Sequence, residues 1–420
     1  MDIDAFRTLL TSEGQRVLGR VDPAEDALRA TVRLRREHSA ELVAAVLVQG
    51  RLRARARAKF GTDADRMYFT PAGLEQSTRG LVARHRAARF AAVDGPVADL
   101  CCGIGADMLA LAAAGRTVEG VELDPLTAEV AAANADALGL ADRARVRTGD
   151  ATGSGAARGR AAVFCDPARR DDSGRVFDPR NFSPTLKEAV RLARSAPAGA
   201  LKLAPGLPHE MIPGDVSAEW ISVGGEVKEV ALWFGALADG VRRRATVFPS
   251  ERGAPAAEED GGDPAALTTA APPRGATITE EPGLGEAPVA GEVGGYLYDP
   301  DGAVVRSHLV AELARRLGGA LLDPRIAYIT GDEPVPTPFA RAYQVIEAVP
   351  FSLKRLRDAL RRHDVGKVTI TKRGSAVDVD QLHKYLKLSG GKTAVVALTR
   401  IGERPFALLC RTVHAPLPSA

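Results

Sequence analysis

Apolar residues recur at three- and four-residue spacing over 27–34 and 42–48, and nothing in the first ninety positions alternates with the period of two that a half-buried strand needs. Residues 1–90 therefore read as a helical N-terminal segment. From 91 to 250 the pattern changes: short β-branched runs over 97–102, 117–123, 145–148, 162–165, 200–203, 227–234 and 244–248 alternate with Ala/Leu-rich stretches over 108–114, 126–138 and 184–195. Strands separated by helices predict an α/β fold, a parallel sheet with crossover helices on both faces. Ser183 and Pro184 suit the N-cap and first turn of the last helix. Residues 251–290 offer Pro, Gly, Ala and acids but almost no large apolar side chain, so they read as a flexible acidic linker. Apolar runs then resume at 296–298, 304–305, 327–330, 343–349, 368–371, 393–399 and 406–412, with helical patterns at 308–317, 353–363 and 380–388. Residues 291–420 are thus expected as a smaller second α/β-type domain.

Length and composition fit that division. The chain has 420 residues, 45% hydrophobic and 26% charged, enough for two to three domains. No apolar run approaches the ~20 residues that cross a bilayer, and acids stand near the start where a secretory signal would be basic. The four cysteines, at 101, 102, 165 and 410, form neither a repeated C-x-x-C nor a disulfide framework, so a reduced, cytoplasmic, metal-free protein is expected. The net charge of +3 hides an asymmetry: residues 341–411 carry 15 Lys/Arg against 6 Asp/Glu, and residues 251–292 carry 9 acids against 2 bases. A basic block of that kind is either a polyanion-binding surface or an Arg-rich solvated face.

The sharpest chemical signal is Val97-Ala-Asp-Leu-Cys-Cys-Gly-Ile-Gly-Ala-Asp107, an apolar strand entering a small-residue turn and a helix. Gly103 and Gly105 permit a sharp turn and close backbone approach to a ligand. One βαβ unit further, Val121-Glu-Leu-Asp124 ends the second strand and places Glu122 where a carboxylate meets ribose hydroxyls. Asp150 closes the third strand in Thr148-Gly-Asp-Ala. Three polar tips on consecutive strands indicate a nucleoside site. Met108 stands where a dinucleotide fingerprint wants its third glycine, and Asp107 is unwelcome beside a pyrophosphate but matched to a ligand with an amine and a sulfonium.

The segments Asp99-Leu-Cys-Cys-Gly-Ile-Gly-Ala-Asp107, Val121-Glu-Leu-Asp124, Gly149-Asp150 and Phe164-Cys-Asp-Pro-Ala-Arg-Arg170 resemble, in order, the motifs of class I S-adenosylmethionine-dependent methyltransferases. With Met67-Tyr-Phe-Thr-Pro-Ala-Gly-Leu-Glu-Gln-Ser-Thr78, Pro350-Phe-Ser-Leu and Thr371-Lys-Arg-Gly374, the chain is similar to bacterial methyltransferases that carry a THUMP-like C-terminal domain. The resemblance implies a Rossmann-like sheet, an α+β THUMP-like domain at the C-terminus, and S-adenosyl-L-methionine as cofactor. It implies that Asp99, Gly103 and Gly105 line the methionine end, Glu122 holds the ribose and Asp150 with Ala151 meets the adenine, with Cys101 and Leu123 also binding the cofactor. The segment 67–78 would fold over the methionine moiety as a lid; read from its residues alone, it is a turn at 71–73 followed by a helix.

Methyl transfer from a sulfonium is an in-line displacement, so the protein mainly positions the acceptor atom and removes its proton where it has one. Asp166, followed by Pro167 at the end of the fourth strand, stands where the resemblance places the orienting residues. The motif Asp166-Pro167-Ala168-Arg169 lacks the aromatic ring that related amino-methyltransferases stack on a base, leaving Phe177 or Phe182 to supply one from the following loop. Arg169 and Arg170 either contact substrate phosphate or pair with Asp171 and Asp172. Lys202, at the fifth-strand edge, approaches the substrate or is ion-paired. A covalent route needs a thiolate opposite the methyl donor, and Cys101 and Cys102 lie in the cofactor turn instead. Cys165 is expected as a small buried apolar residue, and His85 and His363 as surface residues. Arg51, Arg53, Arg55, Arg57 and Lys59 fall on a helix, either tracking phosphate or simply solvated.

These features predict a two-domain methyltransferase acting on a nucleotide of structured RNA, tRNA or rRNA, held by the basic C-terminal domain. Its alternatives are a methyltransferase for a small molecule or protein, and a non-catalytic RNA-binding protein that keeps the fold.

Overall fold

The computed structural model describes residues 2–153, 155–168, 170–171, 174–175, 182–249, 263–269 and 273–413. The chain divides into two compact units: Met1–Ser217 with Val230–Gly240 and Glu251–Arg274, and Ala218–Glu229 with Val241–Ser250 and Gly275–Ala420.

The first unit opens with helices α1 (Ile3–Leu10), α2 (Ser12–Leu18), α3 (Ala27–Leu34), α4 (Ala40–Phe60), α5 (Pro71–Gln76) and α6 (Gly80–Arg89). Side chains of Asp2, Thr11, Asp26, Ser39 and Thr70 cap the first five, each satisfying an amide the helix leaves open. Strands β1 (Val97–Leu100), β2 (Val118–Glu122), β3 (Ala144–Thr148), β4 (Ala162–Cys165) and β5 (Ala198–Leu203) follow, with α7 (Ala106–Ala113), α8 (Pro125–Ala137) and α9 (Leu186–Ala193) between them. Pairing is parallel for β3-β2-β1-β4-β5, as expected, so all five carboxyl ends face one edge. Residues 230–235 of the later strand β7 (Glu226–Gly235) add to β5 antiparallel. Phe6, Val46, Phe60 and Phe69 from the N-terminal half share one buried cluster with Met108, Val130, Phe164 and Trp233, so the helical segment and the sheet are held by a common core.

Two segments differ from what their sequence pattern predicts. The last helix begins at Leu186, capped by Thr185 in a reciprocal box with Glu188, because Ser183 spends its N–H and C=O on Ala168. Within 251–290, residues 251–262 and 270–272 lie outside the described residues; Leu267 and Ile278 are fully buried, and Thr268 hydrogen-bonds Asp63 at 2.9 Å, so the described part is not a free linker.

The second unit contains β6 (Ser217–Val223, all but its first residue), β8 (Arg243–Phe248) and β9 (Ala276–Thr279), with β8 parallel to β6 and antiparallel to β9. Strand β6 escaped the sequence reading because Ser217, Glu219 and Ser222 interrupt its apolar pattern; all are buried, and Glu219 accepts the Thr246 hydroxyl at 2.6 Å. Further along the chain, β10 (Tyr296–Pro300), β11 (Ala320–Asp323), β12 (Ile326–Gly331), β13 (Ala340–Pro350), β14 (Val365–Lys372), β15 (Lys392–Ile401) and β16 (Arg404–Thr412) form a mixed sheet. Its order is β11-β12-β10-β13-β16-β15-β14. Helices α12 (Leu353–Arg362) and α13 (Val379–Leu386) set Leu356, Leu360, Leu382 and Leu386 against Val396, Leu398, Ala407 and Leu409. The shorter α10 (Gly302–Arg306) and α11 (Val310–Arg316) precede β11.

Candidate active site

The turn after β1 is tightly wound. Cys101, Gly103 and Gly105 adopt φ of 63°, 57° and 89°, the left-handed region that costs a side-chain-bearing residue about 1–2 kcal/mol. A Cβ on Gly103 would meet nothing within 4 Å, since open cleft lies above it, whereas one on Gly105 would press on Met108 Cε at 3.0 Å. The fully buried Met108 thus packs under the turn where a dinucleotide site would need glycine.

Glu122, at the tip of β2, is fixed by two backbone amides: Gly103 N–H donates to Oε2 at 2.9 Å and Asp124 N–H to Oε1 at 3.1 Å. The Thr152 amide and hydroxyl donate to Asp150 Oδ1 at 2.8 and 2.7 Å, and these bonds hold the Asp150 carboxyl below the usual carboxylate range. Cys101, Gly103, Glu122, Leu123, Asp150 and Ala151 line one cleft of about 1000 Å³, joined from the other side by Asp166, Pro167 and Phe182. All nine are expected at the site from the sequence, and the fold brings them to one cleft. Arg169 and Phe177 lie outside the described residues.

Other residues sit differently from expectation. Asp99 is completely buried and does not line the cleft, because it lies within the central strand β1, flanked by Gly120 of β2 and Phe164 of β4. Gly105 shapes the turn without lining the cleft. Lys202 is 6% exposed and its Nζ lies 2.5 Å from Asp166 Oδ2, an ion pair under the floor. His85 is half-buried between Arg84 and Arg86, both buried, so this stretch is not a surface one.

The segment 67–78 is held by two buried amides that sequence reasoning missed. Asn134 on α8 accepts the Tyr68 N–H at 2.6 Å and donates to the Tyr68 and Ile104 carbonyls at 3.1 and 3.0 Å. Gln49 on α4 likewise accepts from Phe69 N–H at 3.1 Å and donates to its carbonyl at 2.6 Å. They act as a strand neighbour would, and α5 is delivered over the cleft, which Ala72, Gly73, Glu75 and Gln76 line. A further missed group is Arg86, which ion-pairs with Asp107 and lies 4.6 Å from the Phe164 ring centroid, while Thr78 Oγ1 donates to the same carboxylate at 2.6 Å.

Both Asp99 oxygens are buried, and no side chain among the described residues hydrogen-bonds them. Burial, then the neighbouring Asp107 and Asp166 carboxylates, push the Asp99 carboxyl well above its ordinary value, with Arg86 acting in the opposite direction. Burial pushes the Cys102 thiol up; a hydrogen bond with Cys101, followed by burial, does the same to Cys165. Neither is a ready thiolate.

A parallel sheet with an antiparallel strand beside β5, and a glycine turn and two acids at consecutive strand ends, define a Rossmann-like nucleoside-cofactor enzyme. The chain belongs to the family of S-adenosylmethionine-dependent methyltransferases: it is 34% identical over 381 residues to an uncharacterized member from Mycobacterium tuberculosis H37Rv, covering 86% of this chain and 94% of that one. Residues 340–412 match the THUMP domain-like family, and residues 2–56 match a family described only as a domain of unknown function. A stretch of 56 residues, 13% of this chain and 12% of the other, is 46% identical to an uncharacterized RNA methyltransferase from Parasynechococcus marenigrum WH8102. A crystal structure of a Porphyromonas gingivalis W83 protein assigned as a methyltransferase shares the fold, with a TM-score of 0.72 at 21% identity over 95% of this chain and 99% of that one.

The protein is therefore an enzyme that uses S-adenosylmethionine, and the cleft fits that cofactor on physical grounds. Glu122 is a preset carboxylate facing the cleft, and the space above Gly103 is open to a ligand. Among the described residues no group of three His, Cys, Asp or Glu is placed to hold a metal, and no helix is long and apolar enough to cross a membrane.

Proposed function

We propose that the protein methylates a nucleotide in structured RNA. In this reading Glu122 holds the ribose with Leu123 beside it, Asp150 and Ala151 meet the adenine, and the turn Cys101–Gly103 faces the methionine end, with α5 closing over it. When bound, the cofactor supplies an electrophilic methyl carbon on a sulfonium. Asp166 accepts a hydrogen bond from the incoming group and orients it, with Pro167 stiffening the backbone behind it. Phe182, 3% exposed in the cleft wall, supplies the ring surface that Ala168 lacks. A cleft of about 1000 Å³ lies at the upper end for small-molecule sites, which suits a cofactor together with an extruded nucleoside.

The observation that carries the RNA assignment is the charge of the second unit. Arg357, Arg362 and Arg373 are engaged with Tyr385 O, Glu347 and Asp299. Lys354, Arg355, Lys367, Lys384, Lys387 and Lys392 are exposed with no ion pair among the described residues, and they fall within the THUMP domain-like match. Cations left over after internal pairing are those available to phosphate. The RNA methyltransferase sharing the 56-residue stretch supports the same reading.

The test is transfer of a labelled methyl group from S-adenosylmethionine to RNA purified from cells lacking the gene, followed by mass spectrometry of the nucleosides. Asp166→Ala should abolish transfer and leave affinity for S-adenosylhomocysteine within a few fold. Label appearing only in protein or small metabolites would overturn the RNA assignment.

A further inference from the structure

Strand β5 is buried at all six positions, yet its fifth residue is Lys202. An ammonium in such a strand is tolerated only when paired, and an apolar residue would fill the place at lower cost. The pairing of β4 with β5 sets Cys165 opposite Leu201, so residues 166 and 202 stand side by side one step further on, at the carboxyl edge. The Lys202 side chain is 7% exposed and the Asp166 side chain 26%, so the acid reaches the cleft and the lysine supports it from below. Lys202 is not part of the cleft wall.

We infer that Lys202 is a positioning residue that fixes the Asp166 carboxylate with one oxygen toward the cleft, and so selects an acceptor group bearing an N–H or O–H. The inference rests on the role proposed for Asp166. The Asp166 backbone is pinned by its N–H bond to Leu100 O at 3.2 Å and by Pro167. Its side chain is pinned at Oδ2 by Nζ at 2.5 Å, and among the described residues no other donor bonds that side chain. The remaining Oδ1 is an acceptor-only atom. An amine or hydroxyl satisfies it; a bare ring-nitrogen lone pair or a ring carbon does not.

The experiment compares wild type with Lys202→Met, Lys202→Arg, Asp166→Asn and the Lys202→Met/Asp166→Asn double variant, using S-adenosylmethionine and RNA from cells lacking the gene. Lys202→Met should lower kcat at least 30-fold with KM for the cofactor within threefold, Lys202→Arg should recover most of that loss, and Lys202→Met should do nothing further once Asp166 is Asn. A wild-type kcat in Lys202→Met, or the same fractional loss in the Asn background, overturns the inference. So does a product methylated on a ring carbon. Crystal structures of the Met and Arg variants with S-adenosylhomocysteine give a readout independent of turnover: Asp166 should swing from its wild-type orientation in Met and keep it in Arg, and an unmoved carboxylate in Met overturns the inference. If wild type transfers nothing to RNA, the RNA assignment fails alone, and these structures still decide the role of Lys202.

Discussion

Asn134 closes both backbone hydrogen bonds of Tyr68, at 2.6 Å to its N–H and 3.1 Å to its carbonyl, and thereby ties the start of the segment 67–78 to α8, the helix that follows β2. Asn134→Leu keeps the volume but leaves an amide and two carbonyls without partners in a fully buried site. Each such group costs about 1–3 kcal/mol, so the variant should lose several kcal/mol in denaturant unfolding. Affinity for S-adenosylhomocysteine should fall with it, since α5 is no longer held over the cleft. Calorimetry showing full affinity in a destabilised Asn134→Leu would separate the lid from ligand binding.

Glu122 is already in place before any ligand arrives, because the Gly103 and Asp124 amides hold its two oxygens. A carboxylate so preset loses little freedom when it accepts ribose hydroxyls. Charge-assisted bonds of this kind are worth about 1.5–3 kcal/mol each, and 1.4 kcal/mol is tenfold in affinity. Glu122→Ala should therefore weaken S-adenosylhomocysteine binding by roughly 10- to 100-fold in calorimetry, with a smaller change in melting. Unaltered affinity would move the ribose elsewhere.

What the residues alone revealed, and what they hid, follows from the range of the interactions. Strand β4 occupies 162–165 as expected, and Glu122 and Asp150 stand at strand tips, because alternation, glycines and terminal acids are local signals. Asn134, Gln49 and Arg86 were invisible as site residues: each works on a partner 20 or more positions away, and an amide or guanidinium on a helix looks solvated until the fold buries it. Strand β6 was hidden for the same reason, its Glu219 and Ser222 being polar in sequence and buried in space. The ion pair of Lys202 with Asp166 needed the register of β4 on β5 before one of its two open readings could be chosen.

Asp99 makes stability depend on pH with a definite sign. Burial and two neighbouring acids raise its folded value well above the unfolded value of about 3.9, so over the interval between them the native state binds the extra proton. Stability from this group is present at low pH and declines as pH rises above about 4, until the folded value is passed. Asp99→Asn removes the dependence. Melting temperatures of the cofactor-free protein should show the Asn variant gaining on wild type as pH rises above about 4; parallel curves would mean that Asp99 titrates alike in the native and unfolded states.

The basic surface of the second unit is tested by its salt dependence, not by affinity at one ionic strength. Lys354, Arg355 and Lys367 are exposed, carry no ion pair among the described residues, and lie on α12 and β14 of the THUMP domain-like region. Each phosphate contact contributes about 0.7–0.9 to the slope of log K against log salt. The triple variant Lys354→Glu, Arg355→Glu, Lys367→Glu should therefore bind RNA more weakly at every salt concentration, with a slope flatter by roughly two to three units if all three meet phosphate. Its affinity for S-adenosylhomocysteine should stay unchanged, because these positions belong to the second unit and the cleft is built from the first. Filter binding across 50–300 mM salt reads the slope directly, and a triple variant with the wild-type slope would remove this face from the RNA contact.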